Sequence, residues 1–345
     1  MAITTNYKKR VITGLSIGAL ITVTLSSCTS VDSIATSKVE IDGSSTVYPI
    51  SRNVIEEFQG TQAIKDGVLV ANVELSGTRA GFEKFCGGET DINNASRPIQ
   101  LDEMEACDQS GVRYIELIIG LDAITIVVNP KNNFAKDITL EELKKLWEPQ
   151  AEGKITHWNQ IRESWPNQPI NLYGPGKDSG TFDYFTEAVI KQKGAVRSDY
   201  TANKNPNVLV QKIAEDSNAL GYFGYGYYKI NNNLVNLLAI KNGDESVLPS
   251  RYNIKWDQYR PLSRPLFIYV NIKASQDKPF LREFIHFYLE NAPEFVSDSG
   301  YVPLPKEGYK LSKQHFETGK AGTVFEGTSQ VNLTMDQLLK KEAAF

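Results

Sequence analysis

The chain has 345 residues, of which 41% are apolar and 23% are charged, as is typical of a globular protein. This length exceeds what one hydrophobic core usually holds, so we predict two lobes. The formal charge is −4, and without the first 27 residues it is −7, because 34 basic residues then face 41 acidic ones. A protein that binds duplex nucleic acid normally carries the opposite charge, so we expect no nucleic-acid partner.

The first 28 residues have the pattern of a bacterial export signal. A basic segment at 8–10 precedes an apolar stretch at 11–25, and the box Leu25-Ser-Ser-Cys28 follows. An apolar stretch of about 15 residues is shorter than the roughly 20 that a transmembrane helix needs, which argues against an uncleaved anchor. We predict that 1–28 is a lipoprotein signal whose Cys28 is acylated. A flexible spacer would then follow at 29–37, and the protein would be attached to the membrane through the lipid only.

The predicted export also bears on the oxidation state of the other two cysteines. Cys86 and Cys107 are an even pair in an oxidising compartment, so we predict a disulfide between them. The histidines, His157, His286 and His315, show no spacing that suggests a shared metal site. We therefore expect neither a metal nor a cofactor.

Three segments place small polar residues between a predicted strand and a predicted helix. Asp42-Gly-Ser-Ser-Thr46 follows a short strand and precedes a helix that begins near Pro49. Ser76-Gly-Thr-Arg-Ala-Gly81 follows a β-rich stretch and precedes apolar residues at helical spacing. A further turn, Asp91-Ile-Asn-Asn-Ala-Ser-Arg-Pro98, contains Ser96 and Arg97.

The third junction is Tyr173-Gly-Pro-Gly-Lys-Asp-Ser-Gly-Thr-Phe182, which leads into a helical pattern at Phe182, Phe185 and Val189. The start of a helix presents unpaired backbone N–H groups and suits an anion. Ordinary helix capping is the alternative, since Ser, Thr and Asp are the usual capping residues. One such junction is a cap, whereas three of them predict a shared anion-binding site.

The remaining segments predict an alternation of strands and helices. We predict strands in 114–128 and 265–271, a buried strand and turn in 219–228, and helices in 208–214 and 280–289. Thr139 and Glu142 form a capping-box pattern, and we interpret that threonine as structural because no glycine opens the backbone there. The aromatic run up to Tyr228 reads as the end of a buried strand and a turn that packs in the core.

Together these loops resemble those of the PstS-type phosphate-binding proteins of bacterial ABC transporters, in the lipoprotein form seen in cyanobacteria. The matching segments, in the order of that family, are Asp42 to Pro49, Ser76 to Phe82, Asp91 to Pro98, Asp178 to Thr181, and Leu220 to Phe223.

The resemblance implies an α/β fold of the type II periplasmic-binding-protein class, with two α/β lobes joined by crossover strands and the ligand in the cleft. On that basis 38–122 and 265–345 would form lobe 1, and 123–264 would form lobe 2. The phosphate-binding residues that it implies are Ser45, Thr46, Thr78, Ser96, Arg97, Asp178, Ser179, Gly180 and Thr181.

Two departures from the family pattern affect the charged positions. Some relatives have an Asp after the Ser of the turn, where this chain has Arg97, and others have an Arg shortly before the third loop, where it has 175–177. The charges have then exchanged places: Arg97 would be the main cationic contact and Asp178 would accept the phosphate proton. Asp42 is the second candidate for that acceptor.

The function that this pattern implies is a lipid-anchored extracytoplasmic receptor, not an enzyme, on the periplasmic side of the cytoplasmic membrane. It would bind inorganic phosphate as a monomer and deliver it to an ABC permease. The alternatives are a receptor for sulfate or arsenate, and an extracellular phosphatase that uses Ser179 or Thr181. No Gly-x-Ser-x-Gly motif supports the phosphatase. A purely structural surface protein would leave the three loops unexplained.

Overall fold

The computed structural model describes residues 38–60 and 70–345. The predicted signal peptide, the predicted acylation site Cys28 and the predicted spacer at 29–37 lie outside these residues. Within the described part, no helix combines the length and the apolar character that crossing a bilayer requires.

The described residues contain eleven strands. They are β1 Lys38–Gly43, β2 Val70–Val73, β3 Ile92–Ala95, β4 Tyr114–Val128, β5 Asp137–Thr139, β6 Asn171–Gly174, β7 Thr201–Ala202, β8 Ala219–Gly224, β9 Asn236–Asn242, β10 Glu245–Val247 and β11 Ser263–Asn271.

Twelve α-helices accompany these strands in the same part of the chain. They are α1 Tyr48–Gly60, α2 Thr78–Cys86, α3 Leu101–Gln109, α4 Leu140–Trp147, α5 Gly180–Phe185, α6 Pro206–Glu215, α7 Tyr225–Ile230, α8 Arg251–Lys255, α9 Ile272–Asp277, α10 Pro279–Asp298, α11 Lys306–Thr318 and α12 Met335–Ala344.

The long, fully buried strand β4 connects two groups of strands. Its residues 114–123 pair antiparallel with β11, and its residues 124–128 pair antiparallel with β8. On one side, β11 continues to β3, β1 and β2. On the other side, β8 continues to β6 and β7. We call these groups, with the helices that follow their strands, the β1 side and the β8 side. The predicted lobe boundaries remain a prediction.

Parallel strands within each side bring the predicted loops to one edge. β1 pairs parallel with β2 and β3, and β6 pairs parallel with β8. The loops that follow β1, β2 and β3 therefore leave the sheet in the same direction, as do those that follow β6 and β8. This arrangement is the reason that polar segments far apart in sequence can meet.

Most sequence-predicted elements form close to their expected positions. The Thr139 hydroxyl accepts from the Glu142 N–H and the Glu142 carboxylate accepts from the Thr139 N–H, as a capping box requires. The predicted turn after β8 is wrong: it is helix α7, whose first N–H, of Tyr225, donates to Asp122. After α5 the chain continues as one π-helical turn at Thr186–Ile190.

The predicted disulfide is confirmed. Cys86 at the end of α2 is bonded to Cys107 in α3, and both residues are buried. The bond closes a loop of 21 residues on the β1 side. It therefore ties together the two helices that flank the turn containing Ser96 and Arg97.

A buried carboxyl group holds the segment between α11 and α12 against the sheet. Glu116 of β4 accepts hydrogen bonds from the hydroxyls of Tyr269 (2.5 Å) and Thr323 (2.7 Å) and from the Val324 N–H (3.3 Å). Burial, together with the neighbouring carboxylate of Glu342, raises the pKa of Glu116 to about 8, from an ordinary value of 4.5. These raising effects exceed the opposing effect of the three donors.

This raised pKa predicts a pH-dependent stability. Folding raises the pKa of Glu116, so its contribution is complete below about pH 4.5 and is lost as the pH rises towards 8. We expect the free energy of unfolding of the parent chain to fall relative to Glu116→Gln between pH 5 and pH 8, by roughly 4 kcal/mol at most. Urea unfolding of both proteins at the two pH values measures this difference, and parallel pH profiles would contradict it.

Candidate functional site

The predicted loops of the β1 side meet the predicted loop of the β8 side. The hydroxyl oxygens of Thr46 and Thr181 are 3.4 Å apart, and both residues are buried. The backbone N–H of Arg79 donates to the carbonyl of Asp178 at 3.2 Å. The hydroxyl of Tyr227 donates to the carbonyl of Ser45 at 2.6 Å. The residues predicted from three separate loops therefore share one crevice.

Gly180 lies at a close contact between the β1 side and the β8 side. A Cβ atom built on Gly180 would lie 2.5 Å from the Thr78 hydroxyl oxygen and 2.6 Å from that of Ser96. These two hydroxyls are 3.4 Å from each other, and both residues are fully buried. Only glycine therefore lets the two sides approach this closely, and its backbone is open to the hydroxyl groups opposite.

Gly77 allows a second close approach. Its φ is 107°, in the region that favours glycine, and a Cβ atom there would lie 2.4 Å from the Asp178 carbonyl oxygen. Gly77 is the residue before α2. A side chain at this position would push the second loop away from the third.

Arg264 of β11 brings a buried positive charge to the crevice, and the sequence analysis missed it. Its Nη2 donates to the Thr181 hydroxyl at 2.7 Å and lies 3.4 Å from the Thr46 hydroxyl oxygen. Nη2 and Nε also donate to Asp122 of β4, at 2.8 and 3.2 Å. Nη1 has no hydrogen-bond partner among the described residues, although Arg264 is only 1% exposed. Such an unpaired donor in a buried cation requires an acceptor.

A signal for Arg264 was present in the sequence. Arg264 and Asp122 are isolated charged residues in two apolar strands, and the strand register places them directly opposite each other. Opposite charges in such positions form a cross-strand pair. Recognising the pair requires knowing that the two strands are neighbours, because 142 residues separate them in sequence.

Arg97 is placed beside the crevice but is largely occupied by protein groups. Its Nη1 and Nη2 donate to the carboxylate of Glu103 at 2.8 and 2.6 Å, and its Nε donates to Asp183 at 2.8 Å. Nη1 also donates to the Pro98 carbonyl. Burial lowers the pKa of Arg97, but the two carboxylates outweigh that effect and raise it. Protein acceptors thus use four of its five N–H groups, and its role as the main cationic contact remains a prediction.

Known proteins resemble this chain over most of its length. Residues 30–292 match the PBP superfamily domain (PBP-like 2). Protein SphX of Synechocystis sp. (strain PCC 6803) is 50% identical over 95% of this chain and 96% of the relative. The phosphate-binding protein PstS of Staphylococcus saprophyticus is 37% identical over 79% of this chain and 82% of the relative. This chain belongs to the PstS family of the PBP superfamily.

A solved structure supports the same assignment. The crystal structure of a possible phosphate binding protein from Planctomyces limnophilus DSM 3776 matches with a TM-score of 0.61 at 41% identity. The match covers 82% of this chain and 98% of that chain. The predicted α/β fold of the periplasmic-binding-protein class is therefore confirmed.

The two carboxylates predicted to accept the phosphate proton, Asp178 and Asp42, lie in different surroundings. Asp178 has an exposed side chain, as does Lys177. Asp42 is buried but accepts from Lys84 at 2.6 Å and from the hydroxyl and N–H of Ser76. Burial raises the pKa of Asp42, but these donors outweigh that effect and lower it. Neither placement favours a carboxylate that meets a ligand proton in a dry pocket, and the role of Asp178 remains a prediction.

Ser179 also has a structural role. Its hydroxyl accepts from the Thr181 N–H at 3.2 Å, so it caps α5. The capping alternative of the sequence analysis is thus confirmed for this serine. Ser45 contributes its backbone carbonyl to the contact with Tyr227. In the described residues no group of three or more His, Cys, Asp or Glu side chains could hold a metal ion.

Proposed function

We propose that this PstS-family chain binds inorganic phosphate in the crevice between the β1 side and the β8 side. The observation that carries the proposal is Arg264. Its Nη2 contacts the hydroxyls of Thr46 and Thr181, one from each side, and its Nη1 is unpaired. A buried arginine in this state is suited to an anion with several acceptor oxygens, which a guanidinium can bind through parallel hydrogen bonds.

Hydroxyl groups on both sides of the crevice would supply the remaining donors. Thr46, Thr78, Ser96 and Thr181 are all buried in the crevice, and the backbone of Gly180 faces two of them. A tetrahedral oxyanion offers acceptors in all directions, so donors must surround it. The predicted contacts of these residues with phosphate are compatible with this enclosure.

Asp122 is the positioning residue for Arg264 in this proposal. Its Oδ2 accepts from two nitrogens of the guanidinium, and its Oδ1 accepts from the Tyr225 N–H. The carboxylate thereby fixes the plane of the guanidinium and leaves Nη1 for the ligand. Burial raises the pKa of Asp122, and the arginine opposes this effect.

The proposed cellular role is that of a receptor. We propose that the chain is attached through a lipid on Cys28 outside the cytoplasmic membrane, and that it delivers phosphate as a monomer to an ABC permease. The Cys86–Cys107 disulfide supports an oxidising compartment. The names of the relatives, which include phosphate-binding protein PstS, support phosphate as the ligand.

Titration calorimetry with phosphate, sulfate and arsenate tests this function. We expect the full chain, purified in detergent, to bind one phosphate per chain and to bind sulfate far more weakly. A chromogenic phosphate ester should not be hydrolysed. Tighter binding of sulfate would establish the other-oxyanion alternative, and turnover of the ester would establish the phosphatase.

Replacing Arg264 should remove most of the affinity. We expect Arg264→Met to weaken phosphate binding by roughly 10²- to 10⁴-fold, because a buried anion loses its charged partner. The substitution also leaves Asp122 without its arginine, so the double variant with Asp122→Asn serves as a second, neutral background.

The matched control for this prediction is Arg113→Met, since Arg113 is exposed. Calorimetry and thermal unfolding together separate lost binding from lost folding. If both Arg264 variants fold and still bind phosphate within threefold of the parent, another cation holds the ligand.

The lipid anchor has its own test. We expect Cys28→Ser to abolish acylation, because the thiol is the atom that receives the lipid, and to change the membrane retention or processing of the chain. Fractionation of cells and mass spectrometry of the N-terminus measure both effects. Cys86→Ser/Cys107→Ser is the control, since it removes cysteines without affecting the predicted anchor.

A further inference from the structure

The ion pair between Arg97 and Asp183 bridges the two sides of the crevice. Arg97 follows β3 on the β1 side, whereas Asp183 belongs to α5 on the β8 side. The Nε of Arg97 donates to Asp183 at 2.8 Å, and the side chains are 0% and 2% exposed. We propose that this pair is a latch that holds the crevice closed and thereby slows the release of the ligand.

Arg97 is fixed in place by its own side of the crevice. Glu103, at the start of α3, accepts from both terminal nitrogens of the guanidinium and also from the Gln100 N–H. All these groups belong to the β1 side, so the arginine can be oriented independently of closure. Only its Nε donates to the other side, where the Asp183 carboxylate accepts the hydrogen bond.

Asp183 and Thr181 connect the first turn of α5 to two different arginines. The Thr181 hydroxyl accepts from Arg264, and the Asp183 carboxylate accepts from Arg97. Residues two positions apart in a helix point in roughly opposite directions. Arg97 and Arg264 thus contact the same helical turn from different directions. The guanidinium of Arg79, also on the β1 side, adds a weaker contact with Asp183 at 3.9 Å.

Whether removing the Asp183 charge weakens or strengthens phosphate binding distinguishes a latch from simple electrostatic repulsion. The inference rests on the proposed binding of phosphate, which is an anion. A carboxylate near an anion repels it, so removing the Asp183 charge should strengthen binding if only the local field mattered. A latch predicts the opposite, because the variant loses a contact that exists only in the closed state.

Substitutions of the two partners, Asp183 and Arg97, should disturb the protein to different degrees. In Asp183→Asn, Arg97 keeps its two bonds to Glu103. In Arg97→Met, both Glu103 and Asp183 are left without their arginine, and an unpaired buried charge is strongly unfavourable. The asparagine variant is therefore the gentler test of the latch, and the methionine variant completes a double-mutant cycle.

Stopped-flow kinetics and calorimetry on the full chain in detergent test the proposal, with phosphate as the probe. We expect Asp183→Asn to raise the dissociation rate constant and the Kd for phosphate about tenfold, with the association rate constant changed less than about threefold. The phosphate-to-arsenate affinity ratio should stay at the parent value, because Asp183 holds the protein closed and does not contact the ligand. Arg97→Met/Asp183→Asn should show effects that are not additive.

Asp199→Asn is the matched control. Asp199 forms an ion pair with Arg197, and both residues lie on the β8 side, so the pair does not cross the crevice. This variant should release phosphate at the parent rate. Equal or tighter phosphate binding by Asp183→Asn, or strictly additive effects in the cycle, would overturn the latch.

A parent chain that binds no phosphate would refute the proposed function instead. The latch is then decided by X-ray scattering, in which Asp183→Asn must show a larger radius of gyration than the parent and Asp199→Asn must not. An unchanged radius of gyration in Asp183→Asn would contradict the latch on its own.

Discussion

The buried ion pair between Arg264 and Asp122 is the interaction on which the crevice depends. The two residues face each other directly on the paired strands β11 and β4, and both are almost completely excluded from solvent. Taking two charges out of water costs more free energy than their attraction alone returns, unless further hydrogen bonds satisfy both groups. Here the further bonds come from the Tyr225 N–H to Asp122 and from Arg264 to two threonines. The pair therefore organises loops on both sides of the molecule.

The first turn of α5 is the element through which the β8 side takes part. Gly180 faces two buried hydroxyls of the β1 side. The Thr181 hydroxyl accepts from the Arg264 guanidinium of β11, and the Asp183 carboxylate accepts from the Arg97 guanidinium. The three positions therefore need different residues: one without a side chain at 180, one with a short hydroxyl at 181 and one with a carboxylate at 183. One helical turn thus combines a close approach, a hydroxyl bonded to Arg264 and an ion pair. A small rotation of this turn would alter all three contacts together.

Much of the fold and part of the site could be predicted from the sequence. The strand–loop–helix junctions were visible because glycine and hydroxyl residues interrupt apolar patterns, and the loops do converge. The contact of Arg97 with the ligand was implied by the family resemblance and remains a prediction. Its partners Glu103 and Asp183 come from α3 and α5, which local sequence does not show. Arg264 was missed because its significance depends on strand pairing. The exposure of Asp178 likewise follows from packing, which local sequence does not show.

The charges around the crevice nearly cancel. Arg264 faces Asp122, Arg97 faces both Glu103 and Asp183, and Arg79 lies 3.9 Å from Asp183, so three cations stand against three carboxylates. The chain as a whole is also negative. A long-range positive field therefore does not explain how an anion would be held here. Directed donors would have to do so: the unpaired Nη1 of Arg264 and the buried threonine and serine hydroxyls. Hydrogen bonds strengthen in such surroundings, and they depend on where the acceptor oxygens of the ligand lie. Such a site would recognise an anion by the positions of its acceptor oxygens, and the net charge of the protein would contribute little.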